Sequence, residues 1–470
     1  GRRPPAGGRA VIGVASDLRG SIRMACFFNG RETTSDEEVE EVLLGSPNRS
    51  DPDDNVDIKA ILNSFRQDNL ETGSTFTVIA RRRYVLRSAC AALSKTYFGW
   101  HKEPSVEFVS EMAADYGGPR REFFRLLMLE VQSSLGIFEG RPGELLFFSY
   151  DLQALDQNKF YTAGKLTAWS IIHNGPGLRC LNNSLFALMC NQMVDLTNLD
   201  LGLLPIESDD QSKIDQIKTC STEEDLETVK QVCGDWIAGC GVPTVYTANL
   251  QDLPRVLNRV VAHFIFHRVA SMIQQFTAGM NSCGRFWDLV KSYWRQFVPV
   301  FTHTGEKLTR HKLLSLFIKA RSEEGSNRWE MEESTLYLFE DWLLAIEEGV
   351  VDFKFEELLI FLTGADCLPP LGFPDRCSIN FYDQEPGVKR IPFASTCSLS
   401  VSPQGDHAAS TDLDLFLRQR ETDSIISTFY GLYSARISSH SSIIGGKISS
   451  ATTLSSLLLR YLMNVEVQGL

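Results

Sequence analysis

Apolar residues three and four positions apart run through the middle of this chain, and that spacing predicts helices that each bury one face. The clearest segments are RREFFRLLMLEVQSSL from Arg120, RVLNRVVAHFIFHRVASMIQQF from Arg255, GRFWDLVKSYWRQF from Gly284 and HKLLSLFIKA from His311. A shorter one, DIKAILNSF, starts at Asp57, and the β-branched STFTVIARR from Ser74 predicts a strand. The acidic stretch ESDDQSKIDQIK from Glu207 has too few apolar residues for a buried face and reads as a surface connection.

A charged, Gly-containing stretch, RSEEGSNRWEMEES over Arg321–Ser334, separates this helical part from a smaller second part and reads as a linker or hinge. Two helices are predicted after it, in TLYLFEDWLLAIEEG and KFEELLIFLTG. The text then turns strand-like, from SINFY up to Cys397, with Pro and Gly between. Residues 1–57 form a leader in which only Asp36–Leu44 favours a helix, and from about Ser400 the composition becomes Ser-rich. The expected class is α+β, a large helical part followed by a smaller mixed one. No internal repeat is visible.

Composition narrows the function classes. The 470 residues are 43% hydrophobic and 22% charged, which fits a globular chain with sizeable cores. A net charge of −13 argues against a general nucleic-acid face, and the run Arg81-Arg82-Arg83 is too short to overrule it. No run reaches the ~18–20 apolar residues of a membrane span, so no membrane partner is expected. The opening GRRPPAGGRA leads into too short an apolar stretch for a signal peptide. A chain opening on Gly is expected to be a fragment, or a product whose beginning lies elsewhere. Eleven cysteines without a secretory signal predict reduced thiols in an intracellular protein, cytoplasmic or nuclear. No Cys-x-x-Cys pair occurs, so neither a structural zinc site nor any cofactor is expected.

Three places invite chemistry. HFIFH sets His263 and His267 one helical turn apart, yet no Glu follows the first and no third ligand is evident, so core or surface histidines are the better reading. YGGPRREFF combines a Gly pair, Pro119 and a helix start, an arrangement that could bind an anion through free N–H groups. It lacks both phosphate-loop patterns, and a tight turn delivering Phe123 and Phe124 into a core is favoured. Cys397, in IPFASTCSLS, has no cation, paired His or helix start evident beside it to favour its thiolate. Its residues leave open a buried filler at a strand end or a nucleophile for thiol–thioester exchange, where the incoming bond is already activated.

The order of five segments adds a resemblance. VEFVSEMAADYGGPRREFFRLL, GKLTAWSIIHNGP, IQQFTAGMNSCG, LLIFLTGADCLPPLGF and IPFASTCSL follow one another over roughly residues 75–400. This series resembles the HECT ubiquitin-protein ligases, and its variants look closest to a cell-cycle-phase-specific subfamily and its divergent relatives. The resemblance implies a bilobed fold: a HECT N-lobe over 58–325 that receives a ubiquitin-conjugating enzyme, and a C-lobe over 326–400 joined by a hinge. It implies that Cys397, preceded by Thr396, accepts ubiquitin as a thioester and passes it to a lysine of a protein substrate. The family pattern also has departures here. Many relatives carry His two residues before the cysteine, where this chain has Ser395, and a Phe four residues from the end, where it has Val467. Residues 401–470 match nothing in the family. The alternative these departures imply is a chain that binds a conjugating enzyme without completing transfer.

Overall fold

The computed structural model describes residues 56–402, except 112–114, 141–144, 205, 303–306, 320, 351–352, 382–392 and 397–398. The helix expected over 36–44 and the tail beyond 402 lie outside the described residues. Within them the chain is mixed, mostly helical with small sheets, as the α+β expectation has it.

Buried apolar side chains gather into two clusters. The first runs from Ile61 to Phe301. The YGGPRREFF segment opens its helix α1, Gly118–Ser134. At the centre two further helices cross, α2 over Lys159–Ile172 and α3 over Ala270–Asn281. Each offers a glycine at the crossing. A Cβ on Gly164 would overlap the Phe276 carbonyl oxygen, and one on Gly279 would overlap the Tyr161 carbonyl oxygen. The axes approach closely because both side chains are missing there. Trp169 of α2 is wholly buried and is met edge-on by Phe98, Phe123 and Phe124 at ring distances of 5.2–5.9 Å. The YGGPRREFF segment thus does deliver its two phenylalanines into a core.

The predicted strand is β1, Thr75–Ala80, and it buries every second side chain: Phe76, Val78 and Ala80. It pairs in parallel with β2, Glu103–Phe108. Among the described residues a two-residue pair, β3 at Phe138–Glu139 and β4 at Phe147–Phe148, completes the strands of this part. The acidic stretch read as a connection is helical over Ser208–Thr219. Only Ile214 and Ile217 are buried there, and two apolar contacts are enough once a neighbouring helix, Leu253–Ile265, supplies the rest of the face.

The second cluster begins at Leu313 and Phe317 and ends at Leu399. Its sheet has the order β5-β6-β8-β7, from Phe317–Lys319, Cys377–Ile379, Phe393–Ser395 and Ser400–Ser402 in chain sequence β5 to β8. β5 and β8 flank β6 in parallel, and β7 pairs with β8 antiparallel. Two helices, Asn327–Glu347 and Phe355–Thr363, supply the apolar face over it through Leu336, Phe339, Leu343, Leu358 and Leu359.

Two expectations change here. HKLLSLFIKA is a helix only up to Leu314, and Phe317–Lys319 within it form β5, because pairing with β6 satisfies their backbone. The stretch Arg321–Ser334 lies inside the second cluster's span, and its last eight residues open the helix Asn327–Glu347. Some of its charges pair within it, Arg321 with Glu333 and Arg328 with Glu332. Glu332, 4% exposed, accepts from Ser322 N and Ser322 Oγ at 2.7 Å each and from Arg328 Nε at 3.1 Å. Burial works against its ionisation, yet these hydrogen bonds hold its carboxyl below the usual range. The clusters part between Phe301 and Leu313 instead.

Candidate functional site

Cys397 and Ser398 lie outside the described residues, but the residues on either side of them are described. β7 and β8 form a hairpin whose last pair is Ser395 with Ser400. Leu399 has a left-handed backbone (φ 51°) and is buried, and its carbonyl accepts from Ser378 N at 2.8 Å. Thr396, at the other side, is half-buried against the first core.

Thr396 meets the start of α1 there. Gly117 stands before the helix with φ 107°, a conformation open to glycine. Two amides of this helix start are already served by Asp115, whose Oδ1 accepts from Gly117 N at 2.8 Å and Arg120 N at 3.3 Å while its Oδ2 accepts from Val106 N at 2.8 Å. From the next turn Arg121, 8% exposed, donates Nε–H to the Thr363 carbonyl at 2.7 Å and Nη2–H to the Thr396 carbonyl. One guanidinium therefore ties together the end of a helix and the residue before Cys397.

Two further contacts extend this seam. Asn174, with φ 63°, presents both atoms of its amide to one loop: Leu371 N donates to Oδ1 at 2.9 Å and Nδ2 donates to the Gly372 carbonyl at 2.8 Å. Its neighbour His173 is buried and donates Nε2–H to the Trp100 carbonyl at 2.8 Å, an acceptor that requires the proton on that nitrogen. Burial pulls His173 down to about 4. Arg179 stands 3.7 Å from Asp366. These two line a cavity of about 230 Å³ together with Arg125, Gln132, Met128 and Pro176.

The thiols of the described residues share one character. Burial pushes Cys180, Cys190 and Cys367 up to about 12 and Cys240, Cys283 and Cys377 up to about 11. Cys90, Cys220 and Cys233 are raised as well, again chiefly by burial. All nine are free, and none is poised as a thiolate.

The other sequence candidates carry less. The helix bearing His263 stops at Ile265 and His267 begins a separate 3-10 turn, so the two do not share one regular helix. Among the described residues no group of three or more His, Cys, Asp or Glu could hold a metal ion. Arg82 is bound to Glu111, at 2.5 and 2.9 Å, and to Glu122, over the face of Phe108. It is a structural ion pair rather than part of a phosphate-binding patch. Among the described residues no helix is long and apolar enough to cross a membrane.

Sequence comparison supplies what geometry does not. The chain is similar to curated ubiquitin-protein ligases. It is 27% identical over 282 residues to the G2/M phase-specific E3 ubiquitin-protein ligase of Gallus gallus, covering 59% of this chain and 34% of that protein. The proteins of the same name from Macaca fascicularis and Homo sapiens are 26% and 25% identical over 325 residues, or 66% of this chain and 43% of each of theirs. The chain thus spans less than half the length of these relatives. No family model matches it.

Sequence reasoning missed the seam. Arg121 was legible only as a residue of a helix start, and Asn174 only as part of the segment GKLTAWSIIHNGP. Neither has a local pattern that announces a partner 275 or 197 residues away. A buried arginine is the one signal that could have drawn notice, and burial is not written in the sequence.

Proposed function

We propose that this chain is the transferase part of a HECT-type ubiquitin-protein ligase, with Cys397 as the ubiquitin acceptor. The observation that carries the reading is the similarity to the three curated ligases, joined to the order of the five motifs that end at Thr396-Cys397. In this reading the first apolar cluster is the N-lobe that receives the charged conjugating enzyme, and the second is the C-lobe. Of the other described cysteines of the second part, Cys367 is half-buried and Cys377 buried, and the motif order ends at neither of them but at Cys397.

The chemistry is an exchange between thioesters followed by aminolysis. The Cys397 sulfur attacks the thioester carbonyl on the conjugating enzyme, whose own sulfur departs as the thiolate. A substrate lysine amine then attacks the new thioester, releases Cys397 and leaves an isopeptide bond. The first step exchanges one thioester for another and is nearly isoenergetic, so the acceptor needs accessibility and placement more than a strongly depressed pKa. The partners are ubiquitin, a conjugating enzyme and a protein substrate, in an intracellular setting.

The test is a thioester assay with the wild-type chain and Cys397→Ala, using ubiquitin, activating enzyme and a panel of conjugating enzymes. A reductant-sensitive adduct on the wild type, missing from the variant, is the expected result. A folded wild type that gains no adduct with any conjugating enzyme overturns the reading. Ser395, in the place where many relatives carry His, favours a second reading, a protein that binds the conjugating enzyme without completing transfer. Binding without adduct would select it.

A further inference from the structure

Two residues on one face of α1 meet the residue before Cys397, and they do opposite things to it. Arg121 draws the Thr396 carbonyl in with a charged donor while its Nε–H holds the Thr363 carbonyl at 2.7 Å. Gly118, three positions earlier and therefore beside it on the helix, lets Thr396 come close. A Cβ on Gly118 would overlap Thr396 Oγ1 and would stand 3.0 Å from Thr396 Cβ and 3.2 Å from its carbonyl carbon. Gly118 is helical, so its backbone would accept alanine; only the lack of space requires glycine.

A hydrogen bond to a charged donor is stronger than a neutral one, and this one is sheltered from water. The peptide unit is planar, so fixing the oxygen of Thr396 fixes the plane that leads into the next residue. The second anchor adds leverage. Because the same guanidinium holds the end of the helix Phe355–Thr363, Thr396 and that helix are held by α1 as one unit. Gly364, which caps that helix with φ 80°, also has no slack: a Cβ there would lie 3.0 Å from the Gly118 carbonyl oxygen.

We propose that Arg121 and Gly118 are positioning residues for ubiquitin transfer: Arg121 orients the Thr396 carbonyl against the first core and so sets the peptide unit that leads on to the acceptor, and Gly118 gives Thr396 the room for it. The inference rests on the reading of Cys397 as acceptor. It predicts that the rate of loading depends on this seam while recognition of the conjugating enzyme does not.

The experiment measures Cys397 adduct formation by the whole chain over a range of charged conjugating-enzyme concentrations. The variants are Arg121→Met, Arg121→Lys, Gly118→Ala and the double variant Gly118→Ala with Thr396→Gly. Arg121→Met and Gly118→Ala are each expected to lower the saturating rate about tenfold or more and to leave half-saturation within about twofold. Arg121→Lys keeps a charge but not the two-pronged geometry and falls between. Thr396→Gly removes Oγ1 and Cβ, the two nearest atoms that the new methyl meets, and leaves only the carbonyl carbon at 3.2 Å, so the double variant regains most of the loss. Circular dichroism and melting curves establish folding for each variant. Should Arg121→Met not fold, Gly118→Ala and its rescue decide alone.

Saturating rates within twofold of wild type overturn the proposal. So does a change confined to half-saturation, or a Gly118→Ala loss that Thr396→Gly leaves unrelieved. A wild type without a Cys397 adduct overturns the acceptor reading first and this inference with it. A wild-type adduct with indifferent variants overturns this inference alone.

Discussion

The two apolar cores are built at different scales. The first is an assembly of helices around α2 and α3, with a buried tryptophan ringed by phenylalanines and side chains wholly withdrawn from water. The second rests on four strands of three residues each under two helices. Strands that short make few ladder bonds, and a small core buries proportionately less surface. The first can therefore stand on its own packing, whereas the second gains from being held. Arg121 and Asn174 do this by hydrogen bonds from the first core to the backbone at Thr363, Thr396 and Gly372, and Arg179 faces Asp366 at 3.7 Å. The lesson is that a small module can take its precision from a larger neighbour through few hydrogen bonds.

The contrast can be broken at its strongest point first. Trp169→Ala empties the aromatic centre of the first core and should cost about 3–5 kcal/mol in denaturant unfolding, with both parts lost together. Leu359→Ala, wholly buried in the second core, should cost about 2–4 kcal/mol, and hydrogen exchange should quicken over the second core while the amides of α2 and α3 stay protected. Loss of protection in α2 and α3 to the same degree would mean that the cores are not separable.

Acid should distinguish them as well. His173 is held near 4 when folded, against about 6.5 when free, so the folded state keeps it neutral. Its contribution is whole above the unfolded value and is lost as pH falls from about 6.5 to about 4, amounting to at most about 3 kcal/mol. His173→Gln should flatten the fall in denaturation midpoint across that window. Glu332 in the second core is depressed in the folded state, so its contribution is present above the ordinary carboxylate range and disappears as pH drops below it. Fluorescence-detected and exchange-detected acid titrations should find the first core weakening before the Glu332 contribution is lost. The smallest effect is expected at the surface pair Arg285–Asp288, where Arg285→Ala should shift stability by no more than about 0.5 kcal/mol.

The helices of the first core were legible because a helix that buries one face must repeat apolar residues at its own period, and β1 was legible through its alternation. The polar helix Ser208–Thr219 was not, because two buried isoleucines make no pattern. Nor was the break in HKLLSLFIKA, where the same apolar run serves a helical turn and then a strand. Charge misled at Arg321–Ser334: a run of charged residues reads as solvated until its partners are known, and Glu332 finds Ser322 and Arg328 within the run itself. The candidate acceptor was reached through motif order, not through local chemistry, since nothing beside Cys397 marks a nucleophile.

The sequence by itself determined which faces are apolar, where turns fall and which cysteine ends the motif series, because these depend on residues close together along the chain. Only the tertiary structure decided that Arg121 and Gly118 meet Thr396, that Asn174 grips the Leu371–Gly372 backbone and that nine thiols are held as neutral groups. Burial and partnership are properties of the packed chain. A residue's type sets which bonds it can make, and folding chooses which of them it does make.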